Sequence, residues 1–260
     1  MTSLPKGMTT EEASLVKIAG HVNENDYALL IGGTVSVADH VGKKDVMDRQ
    51  QRMHSVKSGK KWQIFLYSRS RLSTNTMLQG LGNVASCLIA CLDSQPQVRS
   101  CREANKALAK AALRAPMCER RDVLDDSKLL RAFFLKAMFE DSQVEYLAIL
   151  PPDIDQRTVR IDEKFFHVFD AKEAVEAICS AIEVVNSKAR NPTQTDDQKV
   201  VFRTTRNIGE IEVRTDPKNY RRVKMWMDAG PTLKLLQDSL PYERSIGAQV
   251  HLHGKASRLG

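Results

Sequence analysis

The chain has 260 residues, 42% hydrophobic and 27% charged, the make-up of an ordinary folded protein long enough for one large domain or a domain with a lobe. No run reaches the eighteen or more uncharged apolar residues of a membrane helix, and the opening MTSLPKGMTTEEAS carries paired acids where a secretory signal has an apolar stretch, so a cytoplasmic protein is expected. The net charge of +7 favours a polyanionic partner held through phosphate contacts and counterion release.

Thr9-Thr10-Glu11-Glu12 reads as an N-cap with an acidic first turn, and Leu15, Ile18, Val22 and Leu29 follow at helical spacing. A helix over 9–30 is predicted, closing on Gly32-Gly33, with Gly20 the point at which it can kink. Three β-leaning pieces come next, TVSVADHV, DVMDRQQRMHSVK and KWQIFLYSR, the last two joined by Ser58-Gly59-Lys60-Lys61 as a hairpin turn. Helices are predicted over 73–93, 100–114 and 122–140, strands over 144–150 and 164–169, and an amphipathic helix over 171–185. NPTQTDDQ (191–198) is the most linker-like segment. Three strands (VVFRTT, GEIEVRT, NYRRVKMWM), a short helix from Pro231 and a polar tail complete the chain.

This order predicts an α/β (α+β) protein around one central mixed sheet flanked by helices. Residues 1–190 would form the core with a helical insertion at 93–140, and 191–260 a β-rich part of the same domain. The five cysteines (Cys87, Cys91, Cys101, Cys118, Cys179) sit in helical, Ala/Leu-rich surroundings without paired zinc-type spacing, which predicts reduced, buried side chains.

The basic residues are concentrated at 43–71 and 203–224. Lys43, Lys60, Lys61, Arg69 and Arg71 in the first group, and Arg203, Arg206, Arg214, Arg221, Arg222 and Lys224 in the second, are candidate DNA contacts. Trp62, Tyr67, Tyr220 and Trp226 lie among them.

Hydrolysing a phosphodiester at neutral pH takes a divalent ion held by carboxylates and a lysine that assists water and offsets developing charge. Two adjacent strands can assemble this, one opening with an acid and the next carrying an acid and a lysine two residues apart on one face, with an acid on a preceding helix often completing the ligands. Asp45 opens one strand; Ser55 and Lys57 share a face of the next, with Val56 on the other side. Glu24 lies on the upstream helix, where a further carboxylate can reach the sheet. His54 and His167 read as structural or DNA-facing, and the His251/His253 pair lacks a further ligand nearby.

GKKDV…HSVKSGKKWQIFLYS resembles the core of the PD-(D/E)xK nucleases, and of type II restriction endonucleases in particular, over residues 24–70. The resemblance implies Asp45 as first metal ligand, Glu24 as a helix-borne acid on the same Mg²⁺, Lys57 as catalytic lysine, and Ser55 and Gln63 as supporting polar groups. It also implies cleavage of double-stranded DNA at a short specific sequence, a homodimer, and functional pairing with a DNA methyltransferase. Lys44 stands where the family has proline, and Ser55 where it has the second acid, so Glu24 or Asp48 would have to supply that carboxylate. A second candidate is Asp153 with Asp162-Glu163-Lys164, although Glu163 is charged where an apolar residue should face the core. The alternatives are a non-catalytic nucleic-acid-binding protein and a repair or transposon nuclease of the same superfamily.

Overall fold

In the computed structural model residues 10–36, 43–153, 160–189 and 195–260 are described. Helix α1 (Thr10–Ile31) leads into β1 (Thr34–Val35), β2 (Val46–Met47), β3 (Met53–Lys57) and β4 (Lys61–Ser68). A helical block follows, comprising α2 (Arg69–Thr74), α3 (Thr76–Gln79), α4 (Val84–Asp93), α5 (Arg99–Ala104), α6 (Lys106–Asp125) and α7 (Ser127–Phe139). Then come β5 (Tyr146–Ile149), β6 (Phe166–Asp170), α8 (Ala171–Ala181), β7 (Glu183–Asn186), β8 (Lys199–Arg203), β9 (Asn207–Val213), β10 (Arg222–Asp228), α9 (Ala229–Ser239), β11 (Tyr242–Ile246) and β12 (Val250–His253).

The protein is mixed α/β, with two sheets where the sequence predicts one. The first runs β1-β2-β3-β5-β6-β12-β11 and the second β4-β10-β9-β8-β7. In the first sheet β2 and β3 are antiparallel, β3 pairs parallel with β5 (Ser55 beside Leu147, Lys57 beside Ile149), and β6 pairs parallel with β12. Side chains alternate across it as the pleat requires. Tyr146, Ala148, Val56 and Val168 join Tyr27 and Ala28 of α1 on one face, while Leu147, Ile149 and Phe169 join the larger core on the other. The second sheet contributes Trp62, Ile64, Phe202, Ile211, Val223, Met225 and Met227 to that larger core, beneath the helical block.

Several sequence expectations are corrected. β3 and β4 do not form a hairpin; after Gly59, at φ 80°, β4 enters the second sheet and pairs antiparallel with β10. The helix placed at 171–185 ends at Ala181, and β-branched Val184 and Val185 continue as β7. α1 runs through Gly20 without a break. The tail read as polar forms β11 and β12, and Val250 and Leu252 of β12 are fully buried beside β6. Among the cysteines Cys101 is exposed, whereas Cys87, Cys91 and Cys179 are buried. The pieces TVSVADHV and NPTQTDDQ lie partly outside the described residues.

Candidate active site

Asp45 immediately precedes β2, and its backbone N–H bonds the His54 carbonyl of β3 at 3.0 Å, which sets its side chain on the same face as Ser55 and Lys57. Its Oδ2 accepts from the Ser55 hydroxyl at 3.1 Å, the Val56 N–H at 2.7 Å and the Lys57 ammonium at 3.4 Å. The ammonium also donates to Ser55 Oγ at 2.6 Å and to the Val56 carbonyl at 3.3 Å. Three side chains spaced ten and two residues apart thus meet at one carboxylate oxygen. Ser55 is fully buried, with Asp45 and Lys57 at the accessible rim.

Glu24 of α1 lies close enough to feel the charges of this group. Its carboxyl is pushed above the usual range, chiefly by burial and further by the negative charge of Asp45, against the opposing pull of His21 and Lys57. His21 Nδ1 bonds it at 3.0 Å. The helix carrying Glu24 is pinned on both sides. Lys164, 1% exposed, gives its ammonium to Asn23 (2.9 Å) and Asp26 (2.5 Å) of α1. Tyr27 Oη and His54 Nδ1 share a hydrogen bond of 2.9 Å. Burial pushes His54 down to about 4, so at neutral pH it is an uncharged anchor beneath the site.

Lys43 sits partly buried on the approach to Asp45, donating from its ammonium to the Ile64 carbonyl and from its backbone to Glu140 Oε1 at 2.7 Å. Burial and the charge of Lys57 bring it down to about 8. Arg71, stacked over Tyr67, adds a third nearby positive charge. Glu140 is the residue that sequence reasoning missed. It caps α7 in the left-handed region (φ 49°), followed by Asp141 and Ser142 at 59° and 69°, and Gln143 holds Lys44 at 2.6 Å. Nothing local in the sequence announces this loop, because its role comes from partners 97 residues away.

The remaining candidates divide. Asp48 is engaged in the β2–β3 turn, accepting from the Gln50 and Arg52 N–H groups and from Arg52 Nε at 2.7 Å, and its described partners do not include Asp45, Ser55 or Lys57. Gln63 lies on the exposed face of β4 opposite Trp226, in the other sheet, and is not among the partners of Asp45 or Lys57. The second candidate site is not assembled: Lys164 is committed to α1, and Asp162 pairs with Arg160 at 3.1 Å.

Of the candidate DNA contacts, Arg69 and Arg221 bind Asp93, Arg203 binds Glu183, and Arg214 bridges Glu212 and Asp216. Lys60, Lys61, Arg71, Arg206, Arg222 and Lys224 form none of the described ion pairs. His167 and His253 share a 2.9 Å hydrogen bond.

Among the described residues no set of three or more His, Cys, Asp or Glu side chains forms a ready metal cage. The donors at Asp45 and Glu24 are hard oxygens, the donor type that Mg²⁺ takes, and Mg²⁺ commonly uses only one or two protein carboxylates besides water and substrate phosphates. The charge strain on Glu24 is of the sign a cation would relieve. Comparison with protein-family models, with curated proteins and with solved structures returns no match.

Proposed function

We propose that this protein is a Mg²⁺-dependent DNA endonuclease of the PD-(D/E)xK type, in the manner of a type II restriction enzyme. The observation that carries the reading is the meeting of Asp45, Ser55 and Lys57 at a single carboxylate oxygen, on adjacent antiparallel strands, with Glu24 electrostatically coupled to them from the preceding helix. The mixed sheet covered on both faces is compatible with that family's fold.

Asp45 and Glu24 would hold the ion, which when bound polarises the scissile phosphate and lowers the pKa of a water. Lys57 is placed to orient the attacking water and to offset negative charge at the phosphate. The Ser55 hydroxyl takes the position of the second acid: it accepts from Lys57 and donates to Asp45, so it positions both without adding charge. Lys43 and Arg71 raise the local positive potential where a phosphate would lie. A short specific target in double-stranded DNA, a homodimer and pairing with a methyltransferase belong to this same proposal.

The test is incubation of wild-type and Lys57→Ala protein with phage DNA, in Mg²⁺ and in EDTA, followed by gel analysis. Discrete fragments that need Mg²⁺ and vanish with Lys57→Ala are the expected result. One observation favours a second reading, a DNA-binding protein without catalysis: the Lys57 ammonium itself neutralises Asp45, with serine in place of the acid that would restore the metal's share of charge. DNA shifted in a binding gel but uncut under every condition would select it.

A further inference from the structure

The five-stranded sheet keeps its apolar residues on the inner face, yet its outer face carries Trp226. Met225 and Met227 on either side of it are fully buried, so the alternation of β10 turns the indole outward, opposite Gln63 of β4 and Glu210 of β9. The ring is built into its place: Nε1 donates to Glu210 at 3.0 Å, and Glu210 is held in turn by Lys199, which also bonds Glu212 at 3.0 Å. The Lys61 ammonium stands 4.1 Å above the ring centroid. A groove of about 620 Å³ opens here, lined by Trp226, Lys61, Lys188, Lys199, Asn207 and Glu210 among others. Such a volume is within the range of small-ligand sites and ample for one nucleotide.

We propose that this groove binds one unpaired nucleotide of a DNA strand, the base stacked on the Trp226 indole and the adjoining phosphates met by Lys61 and Lys188. An aromatic face among lysines is the combination that takes single-stranded nucleic acid, because every base offers a π-face and every linkage a charge. Lys61 is exposed and long; a stacked base outcompetes an exposed ammonium for the same ring, and the displaced ammonium stays within reach of the phosphate. Asn207 brings a donor and an acceptor to the base edge. The groove also adjoins the candidate active site along the chain. Lys61 follows Lys57 by four residues, so their Cα atoms are at most about 14 Å apart, roughly four stacked base steps at 3.4 Å each. The inference deepens the nucleic-acid reading but does not require cleavage.

The experiment uses the full chain carrying Lys57→Ala, in EDTA, titrated with a short labelled oligodeoxythymidylate and with an abasic strand of equal length and charge. Tryptophan emission and label anisotropy are read together. Trp62 is 3% exposed on the inner face, so quenching reports on Trp226. The thymidylate should quench and bind about tenfold or more tightly than the abasic strand; Trp226→Leu should abolish that difference and Trp226→Phe retain most of it. Equal affinity for the two strands, absence of quenching, or a difference that survives Trp226→Leu would overturn the proposal. If Trp226→Leu does not fold, the abasic comparison and Trp226→Phe decide alone. Cleavage of duplex DNA by the protein with Lys57 intact is scored separately. Cleavage without base-dependent binding removes the groove and leaves the nuclease; base-dependent binding without cleavage does the reverse.

Discussion

Arg120 is fully buried between α4, α6 and α7, and the cost of keeping it there can be worked out from its surroundings. Nε and Nη2 have no hydrogen-bond partner, Nη1 reaches only the Val84 carbonyl at 3.4 Å, and the guanidinium lies 4.7 Å from the Phe133 ring centroid. Its neighbours Cys87 and Cys91 offer no counter-charge, because burial pushes both thiols up, Cys91 to about 12. Burial brings Arg120 itself well below the usual arginine range, to about 10. At about 1.4 kcal/mol per factor of ten, the charged form costs about 3 kcal/mol at neutral pH. Two orphan donors at roughly 1–3 kcal/mol each give the same order. Replacing arginine by methionine removes that cost and keeps most of the volume, at the loss of a cation–π contact of about 1 kcal/mol. Arg120→Met should therefore stabilise the protein by about 2 kcal/mol. In a chain of this size that corresponds to a Tm rise of roughly 4–8 °C, with a parallel increase in the urea midpoint. Arg120→Ala should show no such gain, since it opens a cavity. A methionine variant no more stable than wild type would refute the reasoning and mean that the guanidinium has a compensating partner.

Other expectations follow from the same arguments. His54 and His167 are both brought by burial from 6.5 to about 4, so the unfolded chain binds more protons than the native one between those values, and stability falls as pH drops from about 6.5 through 4. For fully buried His54 the loss should approach about 3 kcal/mol, and a urea midpoint unchanged between pH 7 and pH 4.5 would contradict it. Ser55→Asp places a second carboxylate beside Asp45; in EDTA it should destabilise on the order of 1–3 kcal/mol after the attraction of Lys57. Mg²⁺ should then raise its Tm more than that of wild type, and an identical Mg²⁺ response would count against a metal at Asp45. Lys164→Met leaves Asp26 without its partner and should cost about 3 kcal/mol in urea unfolding, while under the proposed nuclease reading the folded variant should cleave DNA as wild type does. Full stability with cleavage lost would instead point to Lys164 as the working lysine.

The grouping of Asp45, Ser55 and Lys57 was more legible in the sequence than the fold around it. The two-residue step from Ser55 to Lys57 is a local periodicity, and strand geometry alone puts both groups on the face that Asp45 reaches. Glu140 had no such signature, since its carboxylate serves a backbone N–H contributed from another part of the chain. KWQIFLYS reads as a strand and is one, but its partner β10 lies more than 150 residues further on, and the nearer β3 is the more natural guess. AKEAVEAICSAIEVV keeps helical spacing throughout; the Asp170 N-cap fixes its start, and only the β-branched close marks the turn into β7. β12 was hidden because VHLH has the letters of an exposed segment, whereas His253 is buried and stacked on Phe169.

The pairing of β4 with β10, and of β6 with β12, also bears on how this chain is made. Until a ribosome has added residues 222–228, the segment KWQIFLYS has no strand to pair with, and Trp62, Ile64, Phe65 and Tyr67 await the layer that will cover them. A short, β-prone, apolar segment of this kind invites association with other nascent chains. Contacts of such long sequence separation also form slowly. The late arrival of β10 thus makes synthesis, rather than the finished molecule, the stage at which this protein is most exposed to aggregation, and Lys60 just ahead of the segment and Lys61 at its start are the charges that guard it in the meantime.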